Sequence, residues 1–232
     1  MPDSSQESKL PVYEAMRTLR AVRRLRPDPV PGPVLRRVLD AACQAPTGGN
    51  RQPFRIVVVE DRARMAALGR LYSAAWYAYV ETYRALTKDA PADVQREGEK
   101  MLGSGNHLAD HFAETPVLLV FCFDPRQMAI TDAKLPRVSV VGGASIYPAV
   151  QNALLACRAE GLGCVLTTLL CGVEDEVRRL LEIPEPWGTA AAIPIGWPLG
   201  RGHGPITRRP PEALAYADIW KRAWRADVSE PT

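Results

Sequence analysis

Residues 41–61 read "AACQAPTGGNRQPFRIVVVED", and the fold turns on how that stretch is divided. Its start closes an amphipathic pattern in which Val34, Leu35, Val38, Leu39, Ala42 and Cys43 recur at three- and four-residue spacing. That spacing predicts a helix over 33–44 with Pro33 in its first turn. Its end, Phe54 to Glu60, is short and β-branched, the composition of a buried strand. Between them "APTGGN" places Pro46, Thr47, Gly48, Gly49 and Asn50 ahead of a second proline, Pro53. Such a loop is either a helix C-cap followed by a turn, for which Gly and Asn are the usual residues, or main chain cleared of side chains so that something flat or anionic can approach. Its amides, the Thr47 hydroxyl and the Asn50 carboxamide supply the donors and acceptors a planar polar ring needs.

On the N-terminal side, Val12 to Arg26 has helix-forming composition, and "RPDPVPGP" (26–33) then enforces an extended connection. The stretch "MRTLRAVRRLR" (16–26) holds five arginines. On a helix Arg20 and Arg23, three apart, point to one side and can fork around a phosphate. The competing reading is a solvated basic face.

On the C-terminal side, 62–86 is a long helical stretch. The polar, glycine-broken segment 87–107 reads as a mobile excursion or lid. A short helix, "HLADHFAE", feeds the strand "PVLLVFCF" (116–123), and 145–160 is a helix closed by Gly161. A buried strand follows at 163–170, then the helix "EDEVRRLLEI", acidic first and basic later as the macrodipole favours. A last strand, 189–198, is interrupted by Pro194. The arm 199–232 has little pattern but carries Trp220 and Trp224, large apolar groups that need covering, so it is expected to dock on something such as a second subunit. Helices and strands intermix without a repeat or a composition break. One mixed α/β domain over 12–232, after a flexible tail at 1–11, is the simplest organisation.

The bulk numbers agree. A chain of 232 residues with 47% hydrophobic and 24% charged residues is ordinary globular composition. A net charge of +3 does not imply nucleic acid. No apolar run approaches the roughly 20 residues of a membrane span, and the first residues lack a secretory pattern, so a cytoplasmic location is expected. Cys43, Cys122, Cys157, Cys164 and Cys171 are odd in number and mostly sit in apolar patterns, which suits reduced, buried thiols better than a disulfide framework.

Several chemistries find no support. No Gly-x-Gly-x-x-Gly follows a strand and no Gly-Lys-Ser/Thr phosphate loop exists; "GRGHG" (200–204) is spaced differently. His107 and His111 lie four apart on a helix, a metal-capable spacing, but no third ligand is evident, so no metal is expected. Nothing resembles a nucleophile elbow or a hydrolytic triad. Arg208 and Arg209 either solubilise the arm or add to an anion site.

Taken in order, "RTLRAVRRLRPDPVP", "AACQAPTGGNRQPFRIVVVED", "SIYPAVQNALLACRAEGLG", "IPIGWPLGR" and "TRRPPEALAYADIW" closely resemble the nitroreductase family of FMN-dependent oxidoreductases, over roughly 12–220. The resemblance implies an α+β, three-layer fold around a mostly antiparallel sheet, in an intertwined homodimer with FMN at the subunit seam. It assigns the FMN phosphate to the segment Arg20, Ala21, Val22, Arg23, and the flavin ring or ribityl chain to Pro46, Thr47, Gly48, Gly49 and Asn50. Backbone contacts from Thr167, Thr168 and Leu169 on the other side of the ring follow from the same resemblance, as does a second phosphate grip by Arg208 or Arg209. His107 is a further substrate or flavin contact. The usual Arg-Arg-Ser-x-Arg stands here as Leu19-Arg20-Ala21-Val22-Arg23, which loses one Arg and the Ser hydroxyl, and Leu25 replaces a common aromatic.

The implied activity is hydride transfer from NADPH or NADH, through the flavin, to a small electron-poor acceptor such as a nitroaromatic or quinone. No catalytic acid or base is assigned. Alternatives are a flavin-binding storage or sensor protein without turnover, and specialised flavin chemistry such as reductive dehalogenation or flavin fragmentation.

Overall fold

The computed structural model describes residues 10–224. Residues 1–9 of the expected tail and 225–232 of the expected arm lie outside them. The elements run α1 (Val12–Thr18), α2 (Gly32–Cys43), β1 (Phe54–Val59), α3 (Arg62–Thr87), α4 (Ala92–His111), β2 (Val117–Phe123), α5 (Tyr147–Ala159), β3 (Gly163–Cys164), α6 (Glu174–Leu181) and β4 (Gly188–Gly196).

The strands form one sheet in the order β1-β2-β4-β3, and every pair is antiparallel. Strand β2 is apolar throughout, and the two-residue period of a strand sorts its side chains to opposite faces. Val117, Leu119 and Phe121 pack with Leu35, Val38 and Ala42 of α2 and with Ala149, Ala153 and Cys157 of α5. Leu118, Val120 and Cys122 pack with Met65, Leu68, Tyr72 and Trp76 of α3, with Leu102 and Leu108 of α4, and with Val177 of α6. A central strand buried on both faces therefore yields three layers, the α+β arrangement expected. Each fully buried Leu or Phe of β2 contributes about 1.5–3 kcal/mol relative to exposure.

Four local expectations change. The predicted helix 12–26 stops at Thr18, and Leu19 turns extended at φ −65°, ψ 117°. The basic segment after it is sewn to the sheet end instead: Val22 N–H donates to Cys164 O at 2.9 Å, Arg26 N–H to Trp197 O at 2.8 Å, and Leu199 N–H to Arg24 O at 2.9 Å. Burial of Val22 outweighs local helix propensity there.

The segment 87–107 is helical over Ala92–His111 rather than irregular. Its glycines serve packing: a Cβ at Gly105 would fall 1.9 Å from the Trp76 ring, whose Nε1 donates to Asn106 Oδ1 at 2.8 Å. The expected strand 163–170 pairs fully only at Gly163 and Cys164, followed by a lone bridge from Thr167 to Ala192 and a 3-10 turn from Leu169. Pro194 does not interrupt β4; it sits within the strand opposite Leu118. A bulge falls on β4 instead, where Phe121 faces Ala191 but Cys122 faces Thr189, leaving Ala190 as the extra residue.

All five cysteines are free, and Cys122, Cys157 and Cys164 are buried. Burial pushes the Cys122 thiol up to about 12. Cys43 departs from the buried expectation: it is exposed at the end of α2. Among the described residues no helix is long and apolar enough to cross a membrane.

Candidate active site

The loop 45–53 is held at both ends. Asn152, a polar position on the apolar helix α5, donates its Nδ2 to Ala41 O at 3.1 Å and so pins the last turn of α2. Pro53 O accepts from Asp124 N–H at 2.9 Å, tying the far end to the end of β2. Within the loop, Asn50 N–H donates to Thr47 O at 3.0 Å, Gln52 N–H to Thr47 Oγ1 at 3.0 Å, and Gly48 N–H to Ser145 Oγ at 3.1 Å.

The helix cap itself falls on Gln44, in right-handed geometry, so the glycines are not its C-cap. They have separate tasks. Gly49 takes φ +58°, followed by Asn50 at +55° and Gln52 at +48°, a left-handed cluster that costs a non-glycine residue on the order of 1–3 kcal/mol. Gly48 leaves an open face: a Cβ there would meet only Ser145 Oγ, at 3.6 Å.

That face opens on a cleft of about 680 Å³, within the ~300–1,000 Å³ typical of small-molecule sites. Pro46, Thr47, Gly48 and Gly49 form one wall, and Arg51, Arg126, Gln127 and Ser145 supply its polar groups. A second cleft of about 660 Å³ lies against the first and shares Met128 with it. Thr168, Cys171, Thr189, Ala190 and Tyr147 line it, and the Tyr147 hydroxyl donates at 3.2 Å to the carbonyl of Ala190, the extra residue of the β4 bulge. Among the described residues neither lining contains Asp, Glu or His.

The basic segment lies apart from these clefts. Arg20 and Arg23 stand outside any helix, past the end of α1 at Thr18, so the helical spacing argument for their forked geometry does not hold. The Arg20 side chain is already committed, its Nε donating to Pro205 O at 2.9 Å with Nη2 on the same oxygen. Arg20 N–H donates to His203 Nδ1 at 3.1 Å, His203 Nε2 meets Leu162 O at 2.8 Å, and Gly204 N–H donates to Thr18 O at 3.0 Å. These bonds clasp the C-terminal arm to the basic segment. Burial lowers the His203 pKa, with Arg158 and Arg20 adding to the shift. Ala21 is exposed and Val22 is buried. Arg23 is half-buried and close enough to influence the Tyr72 hydroxyl, whose pKa burial raises.

Thr167 is buried, its N–H donating to Ala192 O and its C=O accepting from Ala192 N–H, while its Oγ1 accepts from Leu169 N–H at 3.4 Å. Its main-chain N–H and C=O are thus engaged in the bridge to β4, whereas Thr168 is exposed at the second cleft and Leu169 is half-buried. Arg208 donates to its own neighbour's carbonyl, Thr207 O, and Arg209 is exposed; neither lines either cleft. His107 is half-buried on α4 outside both clefts, its ring 4.4 Å from that of His111, which in turn meets Glu114 Oε1 at 2.9 Å. Among the described residues no three His, Cys, Asp or Glu side chains group as a metal site.

One chain thus brings the "PTGG" wall together with Ser145, Arg51, Arg126 and Gln127, and keeps Arg20–Arg23 and Arg208–Arg209 elsewhere. Sequence reading missed Ser145, Arg126, Gln127 and the pin at Asn152. Asp124-Pro125 was a usable signal, since an Asp before Pro favours a turn whose following amides it caps.

The fold is shared with solved structures. The NADPH:FMN oxidoreductase from Vibrio harveyi, solved as a complex with NAD+, superposes with a TM-score of 0.63 over 91% of this chain and 78% of its own; at 19% identity the likeness is one of fold. The sequence profile of the nitroreductase family matches residues 16–197, and the chain belongs to that family. A Thermus thermophilus protein named NADH dehydrogenase is 30% identical over 93% of this chain and 100% of its own. A 5,6-dimethylbenzimidazole synthase from Rhodospirillum rubrum is 30% identical over 77% of this chain and 78% of its own.

Proposed function

We propose that this oxidoreductase is FMN-dependent and uses NAD(P)H to reduce a small electron-poor acceptor, a nitroaromatic or quinone. The observation that carries the reading is the open face of Gly48 beside an acid-free cleft. A planar ring can lie against bare peptide there, and the groups around it are hydroxyls, amides and guanidinium ions rather than carboxylates. That donor set fits a flavin, whose polar edge needs donors and gathers negative charge on reduction. A bound flavin would supply the redox chemistry itself.

The residues of this chain do the rest. Thr47 and Ser145 hold the loop so that the Gly48 face stays open, Arg51 sets a positive potential at the cleft, and Arg126, its charge paired with Asp124, adds hydrogen-bond donors. The fit is weaker at the phosphate end, where Arg20 is occupied by Pro205 O and Arg23 is the remaining cation of the pair. Because the basic segment and the loop stand apart in one chain, we place the site between two copies, with the loop of one facing the basic segment of the other. The exposed Leu214, Ile219 and Trp220 of the arm, Trp220 at 78% exposure, would be covered in that homodimer.

Flavin fragmentation, suggested by the dimethylbenzimidazole synthase relative, is the less favoured reading, since among the described residues neither lining holds a His, Asp, Glu or Lys, and Tyr147, the phenol of the second cleft, is committed to Ala190 O. The test is the absorption spectrum of the purified protein followed by NAD(P)H titration with and without a quinone. Bleaching of a flavin spectrum by NAD(P)H and its recovery with acceptor is the expected outcome. A protein that retains flavin but turns over no faster than free FMN is a binder, and a protein that cannot be loaded with FMN ends the reading.

A further inference from the structure

Behind the first cleft sits a buried carboxylate with an unusual set of partners. Asp124 is 1% exposed. It accepts from Arg126 N–H at 3.0 Å, Arg126 Nε at 3.0 Å, Arg126 Nη2 at 2.9 Å and Gln127 Nε2 at 2.8 Å. A buried carboxylate persists as an anion only when donors fill its lone pairs. Here they do, and the Arg126 side chain, followed by Gln127, holds the Asp124 pKa far below the usual carboxylate range.

The same bonds work in the other direction. Asp124 takes Nε and Nη2 of the Arg126 fork, which fixes the plane of the guanidinium and leaves Nη1 for something else. Arg126 and Gln127 both line the cleft, as does Arg51, which is exposed and among the described residues pairs with no carboxylate. Met128, Ala129, Val141 and Ala144 form an apolar floor beside them. The cleft therefore pairs a surface for a flat apolar body with two cations for an oxyanion, one of them locked in orientation.

We propose that Arg126 and Arg51 form an oxyanion subsite that selects aromatic acceptors bearing a carboxylate, with Asp124 as the residue that positions Arg126. This deepens the reductase reading and relies on it for turnover, but the binding itself needs only the cleft. A reduced nicotinamide nucleotide also carries oxyanions, in its phosphates. The apolar floor beside a single oxyanion site suits an aromatic acid better than a dinucleotide, and the experiment separates the two.

The probes are 4-nitrobenzoate and its neutral counterpart 4-nitrobenzyl alcohol, on flavin-loaded protein. Calorimetry measures binding of each, steady-state kinetics measures KM and kcat for each, and stopped-flow absorbance measures flavin reduction by NAD(P)H alone. The acid is expected to bind about tenfold more tightly than the alcohol, as one charge-assisted hydrogen bond allows. Arg126→Gln and Arg51→Gln should each collapse that preference toward unity, chiefly in KM. Asp124→Asn should reduce it by a smaller factor, and Asp124→Glu should recover part of the loss, a response that a merely structural carboxylate would not give. Should Asp124→Asn fail to fold, the two arginine variants decide the matter.

Equal affinity of the unsubstituted protein for acid and alcohol would overturn the proposal. So would an Arg126→Gln effect confined to flavin reduction, which would assign the subsite to the dinucleotide phosphates, or one confined to flavin retention. Absence of turnover with either acceptor would instead strike the reductase reading, and the calorimetric comparison would still judge the subsite.

Discussion

The loop 45–53 and the segment 19–26 are both short, polar and close to the proposed chemistry, yet they are built in opposite ways. The loop carries its own specification: Thr47 bonds Asn50 and Gln52, Gly49 provides the left-handed turn, and the buttresses from outside are Asn152 of α5, Ser145 in the turn before α5, and Asp124 at the end of β2. The basic segment specifies little. Its path is dictated by Cys164, Trp197 and the clasp at His203 and Pro205, all more than 130 positions away. A pocket wall written in consecutive residues survives changes elsewhere; a strand sewn on by distant partners depends on each of them.

The sharpest way to break this contrast is at Gly48. Gly48→Val should abolish flavin retention, because branched carbons would occupy the open face, while the thermal midpoint shifts little, since only Ser145 Oγ is near. Normal flavin loading in that variant would refute the steric role.

Removing both Arg20 and Arg23 should weaken FMN by about tenfold or more, the worth of a charge-assisted bond. Comparing the single variants sharpens the point. Arg20→Ala should also loosen the arm, visible as faster proteolysis after residue 199, whereas Arg23→Ala should not, because only Arg20 bonds Pro205 O. Equal protease sensitivity in the two would contradict the clasp.

Ser145→Ala removes the acceptor of the Gly48 N–H. A cost of about 1 kcal/mol, or roughly fivefold in flavin affinity, is expected, measurable by fluorescence titration with FMN.

The smallest effect is a pH dependence of the clasp. His203 must accept at Nδ1 from Arg20 N–H and donate at Nε2 to Leu162 O, which is the neutral ring. Its folded pKa is lowered, by burial first and then by Arg158 and Arg20. The clasp therefore contributes fully above the unfolded value of about 6.5, and that contribution is lost as pH falls from there through the folded value. The thermal midpoint should drop more between pH 7.5 and 5.5 in the unsubstituted protein than in His203→Gln. A parallel His107→Gln series is the control, since burial lowers that histidine too.

The same contrast explains what could be read in the chain beforehand. Helix α2, strand β1 and the loop between them were legible because their signals are local: a three-four spacing, a β-branched run and a glycine pair. The end of α1 at Thr18 was not, because the competing partner for Val22 is Cys164. The glycines of α4 read as breakers because Trp76, which needs Gly105 to be bare, lies on another helix. At the site, the loop residues were found from pattern and resemblance. Arg126 and Ser145 were not, since nothing near them in sequence records that β1 and β2 deliver Pro53 and Asp124 to the same end of the sheet.

The five thiols differ in reach, and that has a practical consequence. Cys122, Cys157 and Cys164 are sealed in the interior and Cys171 is half-covered, while Cys43 is exposed at the end of α2, a few residues before Pro46. A maleimide dye would attach at Cys43 first, giving the molecule a built-in reporter position. Its emission would track the ligand state of the neighbouring loop in real time without any engineered cysteine.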